Sequence, residues 1–311
     1  MLGVVDGRWV PLRVAWRESL YGVDGFYRSN YPADHFRTSP HVSSAFAAAV
    51  VELARQRGLN GVCDIGAGSG ELLAEVHRRE PRWNLLGVEV RPRPPGLPAA
   101  IGWQHEEPQG FTGLVFANEL LDNIACDVVE LDAHEHPRVV EVDPSTGAER
   151  LGPPAGAELL SWLSRWWPLG GEGARAEVGL ARDALWARIC AANPGACRVA
   201  VDYGHVRSHR PVGGTLSSYR LGAQTTVSYD RHHDVIAHVA ADSLAAAVGG
   251  TLLRQRDVLQ DLGLDGRRPP IDTASLDPRG YVAELSRATE VAELIEVGGL
   301  GDLYWVISGP G

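Results

Sequence analysis

Lysine is absent. All 29 basic residues are arginine, against 39 acidic ones, for a formal net charge of −10. A chain without lysine has no Schiff-base chemistry and no phosphate-loop lysine. No run of basic residues stands out, so nucleic acid is not expected as a partner, because phosphate binding needs a concentrated positive surface. The acidic balance suits a basic partner such as an arginine-bearing polypeptide, beside its plainer role in solubility. Only four cysteines occur (Cys63, Cys126, Cys190 and Cys197), with no C-x-x-C pair. This is a reduced, cytoplasmic pattern rather than a disulfide framework. No apolar run reaches transmembrane length, and Met1 to Arg17 is broken by Asp6, Arg8 and Arg13, so neither membrane insertion nor a signal peptide is expected. Eleven histidines are present, but H-E-x-x-H and Cys/His zinc spacings are not, and no metal is expected. No internal repeat appears.

What is present centres on one stretch, Val62-Cys63-Asp64-Ile65-Gly66-Ala67-Gly68-Ser69-Gly70. It reads as a buried strand and a glycine loop, followed by a helix from Glu71. That order builds a nucleotide site at the carboxyl end of a parallel strand. A dinucleotide fingerprint starting at Gly66 requires a third glycine at position 71, where Glu71 stands. The G-x-G-x-G spacing, with Asp64 two residues ahead, resembles the first motif of class I S-adenosylmethionine (SAM) methyltransferases. SAM carries no phosphate; it needs backbone that its methionine part can approach closely, and glycine permits that.

Along the chain, residues 1–33 read as irregular and aromatic, packing on the main body. A helix over Ala45 to Arg57 leads into the strand Gly61 to Ile65. A helix to about Glu80 and a strand Asn84 to Val90 follow, with Glu89 placed 19 residues beyond Gly70. An acid there can accept hydrogen bonds from both ribose hydroxyls. Gly113 to Ala117 is an apolar strand ending in the polar cluster Asn118-Glu119-Leu120-Leu121-Asp122-Asn123. A hairpin is expected over Cys126 to Asp132 and Arg138 to Val142, then helices over Gly156 to Trp167 and Glu177 to Ala192. Cys197 to Val201 is a strand ending in Asp202-Tyr203-Gly204. Residues 205–235 read as a long loop. A helix over Asp242 to Val248, a strand Thr251 to Arg256, a helix over Leu276 to Ile295 and a closing strand Leu303 to Ile307 complete the chain. The closing strand fits an antiparallel sheet edge. The organisation expected is an N-terminal cap and lead-in helix (1–60), then one domain (61–311) with an insertion at about 143–195 and the loop at about 205–235.

Several segments together resemble the MidA-like methyltransferases, a family that includes the mitochondrial complex I assembly methyltransferase. Asp34-His35-Phe36-Arg37-Thr38-Ser39-Pro40-His41-Val42-Ser43 is similar to the family's G-D-F-x-T-[AS]-P-E-I-S, with His35 and His41 in place of its acids. Asn118 to Cys126 is similar to N-E-F-F-D-A-L-P-V, although A-L-P-V is not kept. Asp202-Tyr203-Gly204, Gly214 to Arg220, Asp234 to Val239 and Gly299 to Leu303 match D-Y-G, G-T-L-x-x-Y-R, D-x-x-A-H-V and G-[ML]-G-[DE]-[LF] in order. The resemblance covers about residues 21–307. It implies a Rossmann-like class I methyltransferase fold: α/β, a mostly parallel sheet with helices on both faces, plus an N-terminal cap and inserted segments. It implies SAM as cofactor and S-adenosyl-L-homocysteine as product. It also implies methyl transfer to an arginine nitrogen of a protein, with a respiratory complex I subunit as a candidate acceptor. A small-molecule N- or O-methyltransferase and a non-catalytic SAM-binding assembly factor are the alternatives.

Methyl transfer from a sulfonium is an in-line displacement whose leaving group departs neutral, so alignment and an available nucleophile matter most. An arginine nucleophile is held protonated in water, and carboxylates can orient its guanidinium in bidentate fashion. Glu119 and Asp122, three apart, share a face if a helical turn begins there, and are candidates for substrate orientation or proton acceptance. The plainer role is that Asn118 or Asp122 caps the next turn. Asp202 is a second catalytic candidate. Cofactor candidates are Asp64, Gly66, Gly68, Gly70, Glu89, Asn118, Thr38 and Ser39. Thr38 and Ser39 either donate to the methionine carboxylate, gate the cleft, or simply start a helix.

Overall fold

The computed structural model describes residues 8–29 and 44–310. These form two compact units, each drawn from separate stretches of chain: 44–118, 189–203 and 250–310 in one, and 8–29, 119–188 and 204–249 in the other.

The first unit is built on a seven-stranded sheet in the order Thr251–Arg254, Tyr304–Ser308, Cys197–Asp202, Leu114–Asn118, Gly61–Ile65, Asn84–Val88, Gly102–Gln104. Six strands run parallel, and Tyr304–Ser308 runs against both of its neighbours. The antiparallel strand is therefore interior, where the sequence suggested an edge. Its Tyr-Trp-Val-Ile-Ser run is buried at every position, which an edge does not provide. Gly61–Ile65 and the first four residues of Leu114–Asn118 are equally buried, as apolar runs in a sheet covered on both faces should be.

The chain builds outward from Gly61–Ile65 in one direction, then restarts at Leu114–Asn118 in the other. Ligands of open α/β sheets sit beyond the carboxyl ends of the strands at such a reversal. Helix Ser44–Gln56 packs its alanine- and valine-rich face into the core with helices Glu71–Arg79 and Pro278–Leu294. Phe46, Phe116 and Trp305 meet edge to face, with ring centroids 5.7–6.2 Å apart. The strand expected to reach Arg256 ends at Arg254, and a short helix, Gln255–Asp261, begins. Gln255 still donates its N–H to the Leu303 carbonyl at 2.9 Å, and its fully buried side chain accepts from the Trp305 indole at 3.1 Å and donates to the Leu294 carbonyl at 3.1 Å.

The second unit holds a five-stranded antiparallel sheet. Val10–Pro11, Pro137–Val142, Asp127–Leu131 and Arg175–Val178 follow one another, and Glu149–Pro154 also pairs with Pro137–Val142. The expected hairpin is present. The expected helix from Glu177 begins only at Leu180, because Arg175–Val178 pairs with Asp127–Glu130. Glutamate favours helix, but cross-strand pairing overrides that weak preference. Residues 205–235 are not a structureless loop. They contain the strands Ser217–Arg220, Ala223–Thr225 and Asp234–Ile236, three or four residues each and too short to show an alternation. Within 8–29, Leu12–Tyr21 is a helix rather than irregular chain. Leu12, Ala15, Trp16 and Leu20 follow helical spacing and are buried against Cys126, Val128, Val140 and Val235. The Trp16 indole donates to the Val235 carbonyl at 2.8 Å. Among the described residues, no helix is long and apolar enough to cross a membrane.

Candidate active site

Parallel register puts Ile65, Val88, Asn118 and Val201 along one edge of the first sheet. Ile65 pairs with Val88 and Ala117, and Asn118 pairs with Val201. Asn118 and Asp202 thus end adjacent strands, and Asp64 lies one residue inside the edge. Gly66, Gly68 and Gly70 all have positive φ (77°, 58° and 80°), the left-handed region that side chains resist. They fold the loop back over the next strand: Gly66 and Ala67 donate to the Val88 carbonyl at 2.8 and 3.2 Å, and Gly70 to Ala67 at 2.8 Å. A Cβ on Gly70 would lie 2.8 Å from Leu97 Cδ1. At Gly68 the same test meets only Glu71 Oε2, at 3.8 Å, among the described residues, so that side of the loop is open to a ligand.

Glu89, 8% exposed, is held by the backbone. Its Oε2 accepts from Gly68 N–H at 2.9 Å, and its Oε1 from Val90 N–H at 2.8 Å and Arg91 N–H at 3.3 Å. Arg91 Nε approaches Oε1 at 3.6 Å. The loop amides of Gly66, Ala67, Gly68 and Gly70 are therefore taken by protein acceptors. Asp64, Glu71 and Glu89 surround the loop with negative charge. With those four amides taken and three carboxylates nearby, the loop does not suit a pyrophosphate, and the dinucleotide reading is disfavoured by chemistry as well as by spacing. A ribose with two hydroxyls and a ligand bearing positive charge fit these residues. Burial, then Glu89 and Glu71, push the Asp64 carboxyl up to about 7. An arriving cation relieves that crowding.

The second unit carries a different polar centre. The carboxylate of Asp234, 3% exposed, accepts on Oδ1 from the Tyr27 hydroxyl at 3.0 Å and from Asn123 Nδ2 at 2.9 Å. Burial pushes this acid up to about 7 against the pull of those two hydrogen bonds. Burial, then Asp234, hold the Tyr27 phenol well above its ordinary range. Tyr21 stacks on Tyr27 with centroids 5.5 Å apart. Asp122, 4% exposed, lies in the short turn Leu121–Asn123. Arg182, 1% exposed, ties the backbone of this centre: Nη2 donates to Asp122 O at 2.8 Å, Nε to Ile124 O and Nη1 to His238 O, both at 3.0 Å. Glu177 accepts from Thr215 N–H at 2.9 Å and Thr215 Oγ1 at 3.2 Å, while Thr215 Oγ1 accepts from His238 N–H at 2.8 Å. The segments 122–124, 213–216 and 235–238 are thereby fixed to one another.

Of the expected site residues, Asp64, Gly66, Gly68, Gly70 and Glu89 gather at one loop, with Asn118 and Asp202 on the same sheet edge. Thr38 and Ser39 lie outside the described residues. Glu119 and Asp122 do not share a helical face, because the turn starts at Leu121 and Glu119 precedes it at φ +50°. A left-handed glutamate is uncommon, and such outliers concentrate at functional sites. Asp234, Tyr27, Asn123 and Arg182 were not assigned roles by sequence. Asp234 had a signal, as the first residue of the D-x-x-A-H-V segment. Tyr27 showed only as one of several aromatics, and Arg182 not at all. Among the described residues, no group of three or more His, Cys, Asp or Glu side chains gathers to hold a metal. His205 packs edge-on against Trp167 at 4.5 Å, and burial with Arg210 holds it down to about 3, so its ring is neutral.

Comparison with known proteins bears on this geometry. No curated protein matches the chain. A solved structure from Burkholderia thailandensis, described as a "likely methyl transferase" and bound to S-adenosyl-homocysteine, is 25% identical with a TM-score of 0.79. The alignment covers 97% of this chain and 87% of that one. A native crystal structure of an uncharacterised protein from the same organism is 24% identical, again with a TM-score of 0.79 and the same coverage, and supports the fold. A family model described as "Putative S-adenosyl-L-methionine-dependent methyltransferase" matches residues 78–256, which include Glu89, the 118–123 turn, Asp202 and Asp234 and begin after the glycine loop. That match spans more than half of the sequence, and the chain belongs to this family of S-adenosyl-L-methionine-dependent methyltransferases.

Proposed function

We propose that the chain transfers a methyl group from SAM to a nitrogen of an arginine side chain in a protein, leaving S-adenosyl-L-homocysteine. The carrying observation is the acid centre of the second unit, where the buried Asp234 is hydrogen-bonded by Tyr27 and Asn123 beside the stacked Tyr21. Buried carboxylates next to aromatic faces suit a cationic group such as guanidinium.

When bound, SAM supplies an electrophilic methyl on a sulfonium. The remaining work falls to the chain. Glu89 accepts hydrogen bonds from the ribose hydroxyls. Gly66, Gly68 and Gly70 let the methionine part approach the backbone, and Asp64 offers countercharge to its ammonium. Asn118 and Asp202 end adjacent strands and orient polar groups at that edge. Glu119 and Asp122 hold the guanidinium and localise its charge away from the attacking nitrogen. Within the second unit, Asp234, with the Tyr27 hydroxyl on its Oδ1, is the proton acceptor. A carboxyl near 7 suits a proton acceptor at neutral pH.

The test is a native lysate incubated with methyl-labelled SAM and the protein. Label in a protein band that yields methylarginine after acid hydrolysis is the expected result, and a respiratory complex I subunit is the first band to inspect on the family resemblance. Label confined to small molecules overturns the protein-arginine reading in favour of a small-molecule acceptor. Retained cofactor binding with no transfer to any fraction overturns it in favour of a silent SAM-binding factor.

A further inference from the structure

Arg182 sits where local forces do not favour a guanidinium. It lies in the first turn of helix Leu180–Ala192, where the helix dipole opposes a cation, and it is 1% exposed. Its N–H groups reach backbone carbonyls. Nη2 donates to Asp122 O at 2.8 Å and Nε to Ile124 O at 3.0 Å, on either side of Asn123. Nη1 donates to His238 O at 3.0 Å, just beyond the strand that Asp234 opens. Ala237 N–H adds a second bond to Asp122 O, at 3.0 Å. The guanidinium carbon lies 5.6 Å from the centre of the Trp16 ring, whose indole holds Val235 O. One planar fork thus grips both the turn that carries Asn123 and the segment that follows Asp234. What it brings together is the 2.9 Å hydrogen bond from Asn123 Nδ2 to Asp234 Oδ1. Residues that break a local preference concentrate where function requires them.

We propose that Arg182 is a positioning residue for methyl transfer: it fixes the Asn123 amide on Asp234 by clamping the turn 121–124 to the segment 235–238. The inference rests on reading Asp234 as the proton acceptor. A lysine in its place keeps the charge but is a point donor that cannot span three carbonyls. The turn then relaxes, and Asp234 loses a hydrogen bond that favours its ionised form. The other groups facing Asp234 stay as they are. They are the Tyr27 hydroxyl with Tyr21 stacked on its ring, the Asp122 carboxyl, which acts on the same phenol, and His233, next in sequence and held on Asp230. Asp234 therefore keeps its proton to higher pH, and less of it is ready to accept one at neutral pH.

The experiment compares the full chain as wild type, Arg182→Lys, Arg182→Gln, Asn123→Ala and the double variant Arg182→Lys with Asn123→Ala. Carbon-13 NMR of carboxyl-labelled aspartate follows the Asp234 titration, its signal identified by its loss in Asp234→Asn. Transfer is read as protein label from methyl-labelled SAM in a native lysate, across pH. Arg182→Lys should raise the Asp234 midpoint by about one pH unit and slow transfer by about tenfold below pH 7, with rates rejoining the wild type above about pH 9. Affinity for S-adenosyl-L-homocysteine should stay within about twofold, because the clamp touches acceptor-side groups. Arg182→Gln, which also lacks the three-armed fork, should raise the midpoint at least as far. The double variant should shift it no further than Asn123→Ala alone, since both changes act through one hydrogen bond. An unmoved midpoint in the folded variants, or additive shifts in the double variant, overturns the inference and leaves the Asp234 reading intact. A midpoint that moves while transfer is unchanged at every pH overturns the Asp234 reading itself. Failure of both Arg182 variants to fold also overturns the inference, because Arg182 would then serve stability rather than position.

Discussion

The two polar centres of this protein are made of different material. Around the glycine loop, the chain's own amides do most of the holding, and the hydrogen bonds to Glu89 span 21 positions at most: Gly68 to Glu89, Glu89 to Val90 and Arg91. Around Asp234, side chains do the holding across long stretches: Tyr27 reaches it over 207 positions, and Asn123 over 111. Arg182 closes on carbonyls 56–60 positions away. A backbone-built site is written as a contiguous phrase. A side-chain-built one is scattered through the sequence and becomes a site only on folding.

That contrast can be broken at four points. Glu89→Ala removes the acceptor that fixes Gly68 and the proposed ribose contact together. Its expected effect is about a hundredfold loss of S-adenosyl-L-homocysteine affinity, on the scale of charge-assisted hydrogen bonds. Unchanged affinity by calorimetry sinks the assignment.

Asp64→Asn tests the same loop through pH. The native carboxyl titrates near 7 and the unfolded one near 3.8, so the folded state keeps a proton that the unfolded state has lost between these values. Wild-type stability therefore falls as pH rises from about 4 to about 7. The variant escapes that loss, and without ligand should gain about 4 kcal/mol on the wild type across the window in denaturant titrations. A difference that stays flat with pH contradicts the crowded-carboxylate picture.

In the second unit, Asp234→Asn should slow transfer about tenfold and leave cofactor affinity within twofold, the scale of lost general-base help being at least that large. The wild-type rate should rise as pH passes through about 7, where Asp234 loses its proton, and the variant should lack that limb. A matching loss of cofactor affinity would erase the distinction between the two centres.

The smallest effect is expected at Glu119, held at φ +50°. Glu119→Gly relieves the backbone and should raise stability by about 0.5–1 kcal/mol while slowing transfer. A thermal melt that moves down instead assigns Glu119 a structural role.

The same contrast explains what the sequence disclosed. The sheet strands of the first unit are apolar runs ending in polar residues, and both run and ending are local. The position of the antiparallel strand was not legible, because an apolar run records burial and not which neighbours provide it. In the second unit, Glu149–Pro154 contains two prolines and a glycine, and its exposed pairing on Pro137–Val142 leaves little apolar pattern. Tyr27, Asn123 and Arg182 are each ordinary in their own neighbourhoods; their meaning lies in contacts that no spacing announces.

The interior position of Tyr304–Ser308 has a consequence for biosynthesis. This strand emerges from the ribosome after both strands that flank it. Until it arrives, Cys197–Asp202 and Thr251–Arg254 have no partner on their facing edges, and Trp305 is missing from its place against Phe46 and Phe116. The nascent protein thus carries an unfilled slot beside the strand that ends in Asp202. Stalled or truncated chains should accordingly be aggregation-prone and dependent on chaperones.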